Sequence, residues 1–317
     1  MRPEDLQELV REGSPSAKRE LRRALKKETD PNFKARLHGI LGQFYAVKGD
    51  TKMALEEIEQ GLALAREPET ILLLERRKAR VFSERGEARY ALALTECRSV
   101  PLASQLGRES LAGTLFDAGW FLQLLGRFDS AAEKYRQCLG STRDKELRLH
   151  ASTNLAAIHS EKGDFDAVER FLEMSDDSGG RNVQGMRRIL KGRCLASRGD
   201  FLGAASSQKR AIDLWSHRGP ADRALAILEL AKYQLGAASL QEALQSLEAT
   251  SKLAFELEDA QEGVAAAVLM EVFRKRHAIS TAAELGHYLA ALKNELNPRD
   301  QPHRKRGRSR RRPRRRK

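Results

Sequence analysis

The sequence predicts an all-α chain: an α-solenoid of about eight stacked helix hairpins, ending in a disordered basic C-terminal tail. Three observations carry this. Glycines recur at Gly49, Gly86, Gly126, Gly163 and Gly199, spaced by 37, 40, 37 and 36 residues. Each is flanked by small residues at fixed distances. The composition, 41% hydrophobic, 32% charged and only 6% aromatic with 9 Pro, suits amphipathic helices better than sheets.

The unit is clearest in Leu41 to Ile58, LGQFYAVKGDTKMALEEI. It reads as a helix, a Gly-Asp corner and a second helix, with Gly49 free to adopt a positive φ. Seven residues before the corners stand Gly42, Ala79, Gly119, Ala156 and Gly192, and five after them Ala54, Ala91, Ala131, Val168 and Ala204. These small side chains let the paired helices touch. Four residues before the corners lie Tyr45, Phe82, Leu122, His159 and Leu195, mostly large. After the glycine come Asp50, Glu87, Arg127, Asp164 and Asp200, mostly carboxylates able to cap the second helix. A weaker sixth copy has Ala231, Ala238 at the corner and Ala243.

In chain order, residues 1–31 are expected to be an N-terminal helical cap, two helices over 3–28 with Pro3 near the first start and Ser14-Pro15 between them. The array occupies 32–256. Its longest spacing falls over Pro101, which predicts a longer linker or a broken helix. Asp176 to Gly185 reads as a loop after a short second helix, and no helix is expected to follow Gly179-Gly180 closely. A final capping pair spans 257–297, apolar along Val264, Val268 and Val272 and along Leu285, Leu289 and Leu292. Residues 298–317 form the tail.

Leu41-Gly42, Tyr45, Gly49-Asp50 and Ala54 resemble the tetratricopeptide repeat, as do Gly126, Phe128, Ala131 and Tyr135, and Gly199-Asp200-Phe201 with Ala204. The period is nearer 37 than the family's ~34, and the proline that ends each repeat is mostly missing. The resemblance implies that first helices line a concave groove. That groove would receive Arg76, Arg77 and Arg80, then Phe116, Asp117 and Trp120, then Asn154, then Ile189 and Arg193, then Lys232. The partner-binding candidates are Arg76, Arg77, Arg80, Phe116, Trp120, Asn154 and Arg193. The three arginines can grip a carboxylate or an acidic peptide, or form a solvated face paired with Glu75 and Glu84. Trp120 can anchor a partner's side chain or pack between repeats. The lysine and asparagine clamp that some family members use on a terminal carboxylate lacks its basic partners around Asn154.

No phosphate loop, HExxH, GxSxG or CxxC motif is present, so no enzyme activity, cofactor or metal is expected. Cys97, Cys138 and Cys194 lack metal-ligand spacing and are expected to be buried, reduced thiols. His159 is expected to be a hydrogen-bonded core residue, and Trp215 a packing residue. The N-terminal stretch has no apolar core of signal-peptide length, and the run Val264 to Met270 is too short to span a bilayer. A cytoplasmic location is therefore expected.

The net charge of +13 is concentrated. Arg304, Lys305, Arg306, Arg308, Arg310, Arg311, Arg312, Arg314, Arg315, Arg316 and Lys317 supply eleven cations without an acid, leaving +2 elsewhere. Without aromatic residues, this tail suits phosphate attraction rather than base reading. The sequence thus supports a non-enzymatic scaffold that binds a protein or peptide segment in its groove, with the tail adding polyanion attraction. The alternative is a nucleic-acid-associated protein recruited to RNA or DNA mainly through the tail.

Overall fold

The computed structural model describes residue 10 and residues 16–249, except 175–178, 219, 240, 241, 244, 247 and 248. The first cap helix, the final capping pair and the basic tail lie outside the described residues. Among the described residues, regular structure is entirely helical. The helices are α1 (Ala17–Lys27), α2 (Pro31–Val47), α3 (Thr51–Leu64), α4 (Pro68–Glu84) and α5 (Ala88–Leu94). A π-helical segment (Thr95–Ser99) then leads into α6 (Val100–Leu106). There follow α7 (Arg108–Leu124), α8 (Phe128–Ser141), α9 (Lys145–Glu161), α10 (Phe165–Glu173), α11 (Arg181–Ser197), α12 (Phe201–Leu214) and α13 (Pro220–Gly236). The chain divides into two compact units, Met1–Val183 and Gln184–Lys317.

The first helices of successive repeats, α2, α4, α7, α9, α11 and α13, are each 17 residues long. All five corner glycines have positive φ, between 71° and 83°. Ala238, the sixth corner, adopts the same left-handed conformation at φ 57° without a glycine's freedom. Asp50, Asp164 and Asp200 cap their helices by accepting from the backbone N–H of Met53, Ala167 and Gly203. Glu87 and Arg127 make no such bond.

Small residues do bring paired helices together. A methyl at Gly42 would stand 2.8 Å from Ile58 Cγ1 and 3.0 Å from the Ala54 carbonyl oxygen, and one at Gly119 would press on the Tyr135 ring. Tyr45, Ile58 and Ala54 are buried around the first contact. One apolar cluster joins α1 to α4, and a second runs from α4 through α9 around Phe121, Tyr135, Leu155 and Ile158. In the second unit Trp215 packs with Ile189, Ala211 and Ala226, and Tyr233 with Ala204, Ala205 and Leu230.

Three expectations are corrected and one choice is resolved. Around Pro101 the chain forms no linker but an interrupted helix: α5, the π segment and α6 continue one into the next, and the regular α-helical ladder gives way to π winding over Thr95–Ser99, just before the proline that cannot complete it. The expected loop from Asp176 to Gly185 stops sooner, because α11 opens at Arg181, directly after Gly180. Gly185 is a packing glycine rather than a turn residue, since a Cβ there would run into the Trp215 indole. Finally, Cys97 is exposed on the π segment, whereas Cys138 and Cys194 are buried.

Candidate interaction groove

In the first unit, contacts between first helices follow a repeat rule. The residue six before one corner meets the residue nine before the next, and the residue ten before meets the residue thirteen before. Arg80 and Asp117 obey the first relation: Arg80 donates to Asp117 Oδ1 from Nη2 at 2.6 Å and from Nε at 3.1 Å. Arg76 and Gly113 obey the second, Arg76 Nη2 donating to the Gly113 carbonyl at 2.9 Å. Phe116 and His150 obey it too, with ring centroids 6.1 Å apart.

Asp117 is 1% exposed and also accepts from Arg76 Nε at 2.6 Å. A carboxylate taken from water this completely needs several charge-assisted bonds, and two guanidinium groups supply them. The expected pairing of these arginines with Glu75 and Glu84 is thus replaced by Asp117, while Glu75 is held by Arg98 at 3.0 Å.

The three adjacent cations have different surroundings. A methyl at Gly113 would lie 2.9 Å from Arg76 Nη1, so this helix-interior glycine admits the Arg76 side chain. Gly39 on α2 similarly leaves room for Arg77, whose Nη1 would stand 2.6 Å from a Cβ there. Arg76 therefore reaches forward to α7 and Arg77 back to α2. Arg80 is 46% exposed, with its Nε and Nη2 edge turned to Asp117.

Beside Arg80 a concavity of about 260 Å³ opens between α2 and α4. Its apolar lining comprises Ala46, Val47, Ile58, Leu73 and Val81, and its polar lining Gln43, Arg76, Arg77, Arg80 and Glu84. Val47 is 63% exposed, an aliphatic side chain left uncovered. Burial raises the Glu84 carboxyl above its usual range, opposed by the nearby Arg80 charge.

The remaining candidates are more fully engaged. Phe116 is half-buried, its ring 5.5 Å from that of Tyr135. Trp120, also half-buried, packs on Phe121 at 5.5 Å between ring centroids. Asn154 lies beside the Tyr135 hydroxyl, which donates to Gln123 at 3.1 Å. In the second unit Arg193 Nε donates to Glu229 at 2.8 Å, and the Tyr233 hydroxyl donates to the same carboxylate at 3.0 Å. This is the same six-before to nine-before relation, counted from Gly199 and Ala238. The polyanion candidates of 304–317 lie outside the described residues.

His159 is hydrogen-bonded, with Nδ1 2.9 Å from Asp164 across its corner. Among the described residues, no group of three or more His, Cys, Asp or Glu side chains could hold a metal, and no helix is long and apolar enough to cross a membrane. Asp117 was visible as a groove residue in the sequence, but its role as the common partner of two arginines was not. The concavity's Gln43, Val47 and Leu73 were missed altogether, and Glu84 was read only as a salt-bridge partner for the arginines.

Helix hairpins with small-residue seams and left-handed corners define a helical-repeat solenoid. Residues 114–149 match the tetratricopeptide repeat family model, and the fold is that of tetratricopeptide-repeat proteins. The apo form of the quorum sensor NprR from B. thuringiensis is similar at a TM-score of 0.65 and 15% identity, over 92% of this chain and 88% of that one. A Rap protein complexed with competence and sporulation factor gives 0.62 and 13%, over 92% and 86%. A tetratricopeptide repeat protein from Parabacteroides merdae gives 0.52 and 16%, over 86% and 97%. No curated protein matches the chain by sequence.

Proposed function

We propose that this chain is a non-enzymatic, cytoplasmic scaffold that binds a segment of a partner protein along the first-helix face of its first unit. The observation that supports this best is the concavity between α2 and α4, where a half-exposed arginine adjoins uncovered aliphatic surface. Such a surface offers a peptide both a charge contact and an apolar seat. Phe116, Trp120 and Asn154 would extend the contact along α7 and α9. Among the similar structures, the Rap protein is one that holds a bound factor. Residues 304–317 would add avidity toward a polyanion.

A second reading follows from the charge distribution: eleven cations in the tail against +2 for the rest make the tail the principal site of a nucleic-acid-associated protein. Nuclease-treated affinity purification of three forms separates the two. The forms are the full chain, a chain lacking 304–317, and a chain carrying Arg80→Glu with Trp120→Ala. The scaffold reading expects protein partners to survive tail deletion and to be lost from the groove variant. Loss of every partner with the tail would replace it by the second reading.

A further inference from the structure

We infer that the segment bound between α2 and α4 is acidic and aliphatic together, with a carboxylate at Arg80 and a branched aliphatic side chain against Val47. This rests on the scaffold reading and specifies the ligand chemistry of its groove. The division of labour among the three arginines leads to it. Arg76 is fixed by Asp117 and by the Gly113 carbonyl, and Arg77 lies over Gly39. Arg80 keeps close to half its side chain exposed while Asp117 grips its inner edge, so its guanidinium is already oriented and gives up little freedom when a second carboxylate arrives.

The aliphatic half follows from the lining. Ala46, Val47, Ile58, Leu73 and Val81 offer no aromatic face, and a volume of about 260 Å³ admits one or two side chains rather than a folded element. The charge sign settles the occupant's chemistry. The lining carries Arg76, Arg77 and Arg80 against Glu84, and the Asp117 carboxylate behind them still leaves a net positive wall. The chain's own tail has the wrong sign for this seat, with eleven cations and no acid. A partner segment with alternating acidic and leucine-like residues has the right one. Glu84, which shares the wall with Arg80, would compete with such a ligand.

Fluorescence anisotropy tests this with the full chain and three labelled peptides: Gly-Asp-Leu-Asp-Leu-Asp-Gly, the same peptide with Lys for Asp, and the same with Ser for Leu. The acidic leucine peptide should bind roughly tenfold or more tightly than either of the others, the scale of a single charge-assisted bond or buried side chain. Val47→Asp and Val47→Ser should both weaken it, the aspartate more because it also repels the peptide's carboxylates. Both act at an exposed position, so folding is not in question. Arg80→Gln should weaken binding roughly tenfold while circular dichroism stays unchanged. Equal binding of the serine peptide, or indifference to both Val47 variants, would overturn the inference. If partners are still lost from the groove variant in the purification while no acidic peptide binds, the scaffold reading stands and this inference falls.

Discussion

Arg80 Nη2 stands 2.6 Å from Asp117 Oδ1, and this pair joins the first helices of two successive repeats. The same relation recurs between Arg193 and Glu229 in the second unit, at equivalent distances from their corners. An inter-repeat ion pair at matching positions in two units is a structural element of the array. It places one of the predicted groove cations in the scaffold as much as in the binding surface.

Asp117→Asn should therefore lower stability by about 2–3 kcal/mol. Removing one member of a fully buried ion pair costs about 3–5 kcal/mol, and the partial exposure of both arginines reduces this. Arg80→Gln should cost less, because Arg76 still satisfies the carboxylate. Urea midpoints of the two variants check the order.

Ala238 occupies a corner that glycine fills elsewhere. Ala238→Gly should stabilise the fold by roughly 0.5–1 kcal/mol, since relief of ~1–2 kcal/mol of left-handed strain outweighs glycine's greater entropy loss. Gly126→Ala should do the opposite. Thermal unfolding of both variants measures the two signs.

Thiol accessibility should separate the three cysteines. Cys97 should react with a water-soluble thiol reagent in the native protein, and Cys138 and Cys194 only after unfolding. Burial pushes the Cys138 thiol up to about 12, which keeps it protonated at pH 8. Counting labelled thiols with and without denaturant tests this.

Asp164 gives a pH-dependent signature. The Ala167 N–H and then His159 hold its carboxyl below the usual range. Its folded form therefore gains stability that is present above the unfolded value of ~3.9 and is lost as pH falls through the lower folded value. Wild type should melt above Asp164→Asn at pH 6, and the gap should narrow toward pH 3. A constant gap would assign the effect to packing.

Gly185→Ala should destabilise the second unit by about 1–3 kcal/mol, as overpacking against a rigid ring does. In a Trp120→Phe background, Trp215 fluorescence should shift to the red as its indole moves toward water. An unchanged spectrum and midpoint would contradict the close fit.

The corners were legible because their signals are local: Gly49 or Gly199 announces its own backbone conformation, and Asp50 or Asp164 its own cap. Gly185 was misread because a glycine can mark either a turn or a close approach, and its reason lies thirty residues away in Trp215. Cys97 was misplaced because its burial was expected from residue type alone, free cysteines being mostly buried, and not from its position on the helix, which turns it away from Ala91 and Thr95. Asp117 could be placed on the groove side, but its bonds to Arg76 and Arg80 required knowing which positions face each other across repeats. That rule becomes visible only when two helices are seen side by side.

The matched ion pairs also restrict how such an array can be rebuilt. A hairpin with Arg80 on its first helix accepts as its successor one that carries an acid at the facing position, as Asp117 does, and is poorly served by one carrying Asn154 there. Duplicating, deleting or transplanting a single module would strand a guanidinium or a carboxylate at the new joint. The order of the hairpins is thus written into their charges, and grafts that keep donor and acceptor modules together should fold where scrambled ones fail.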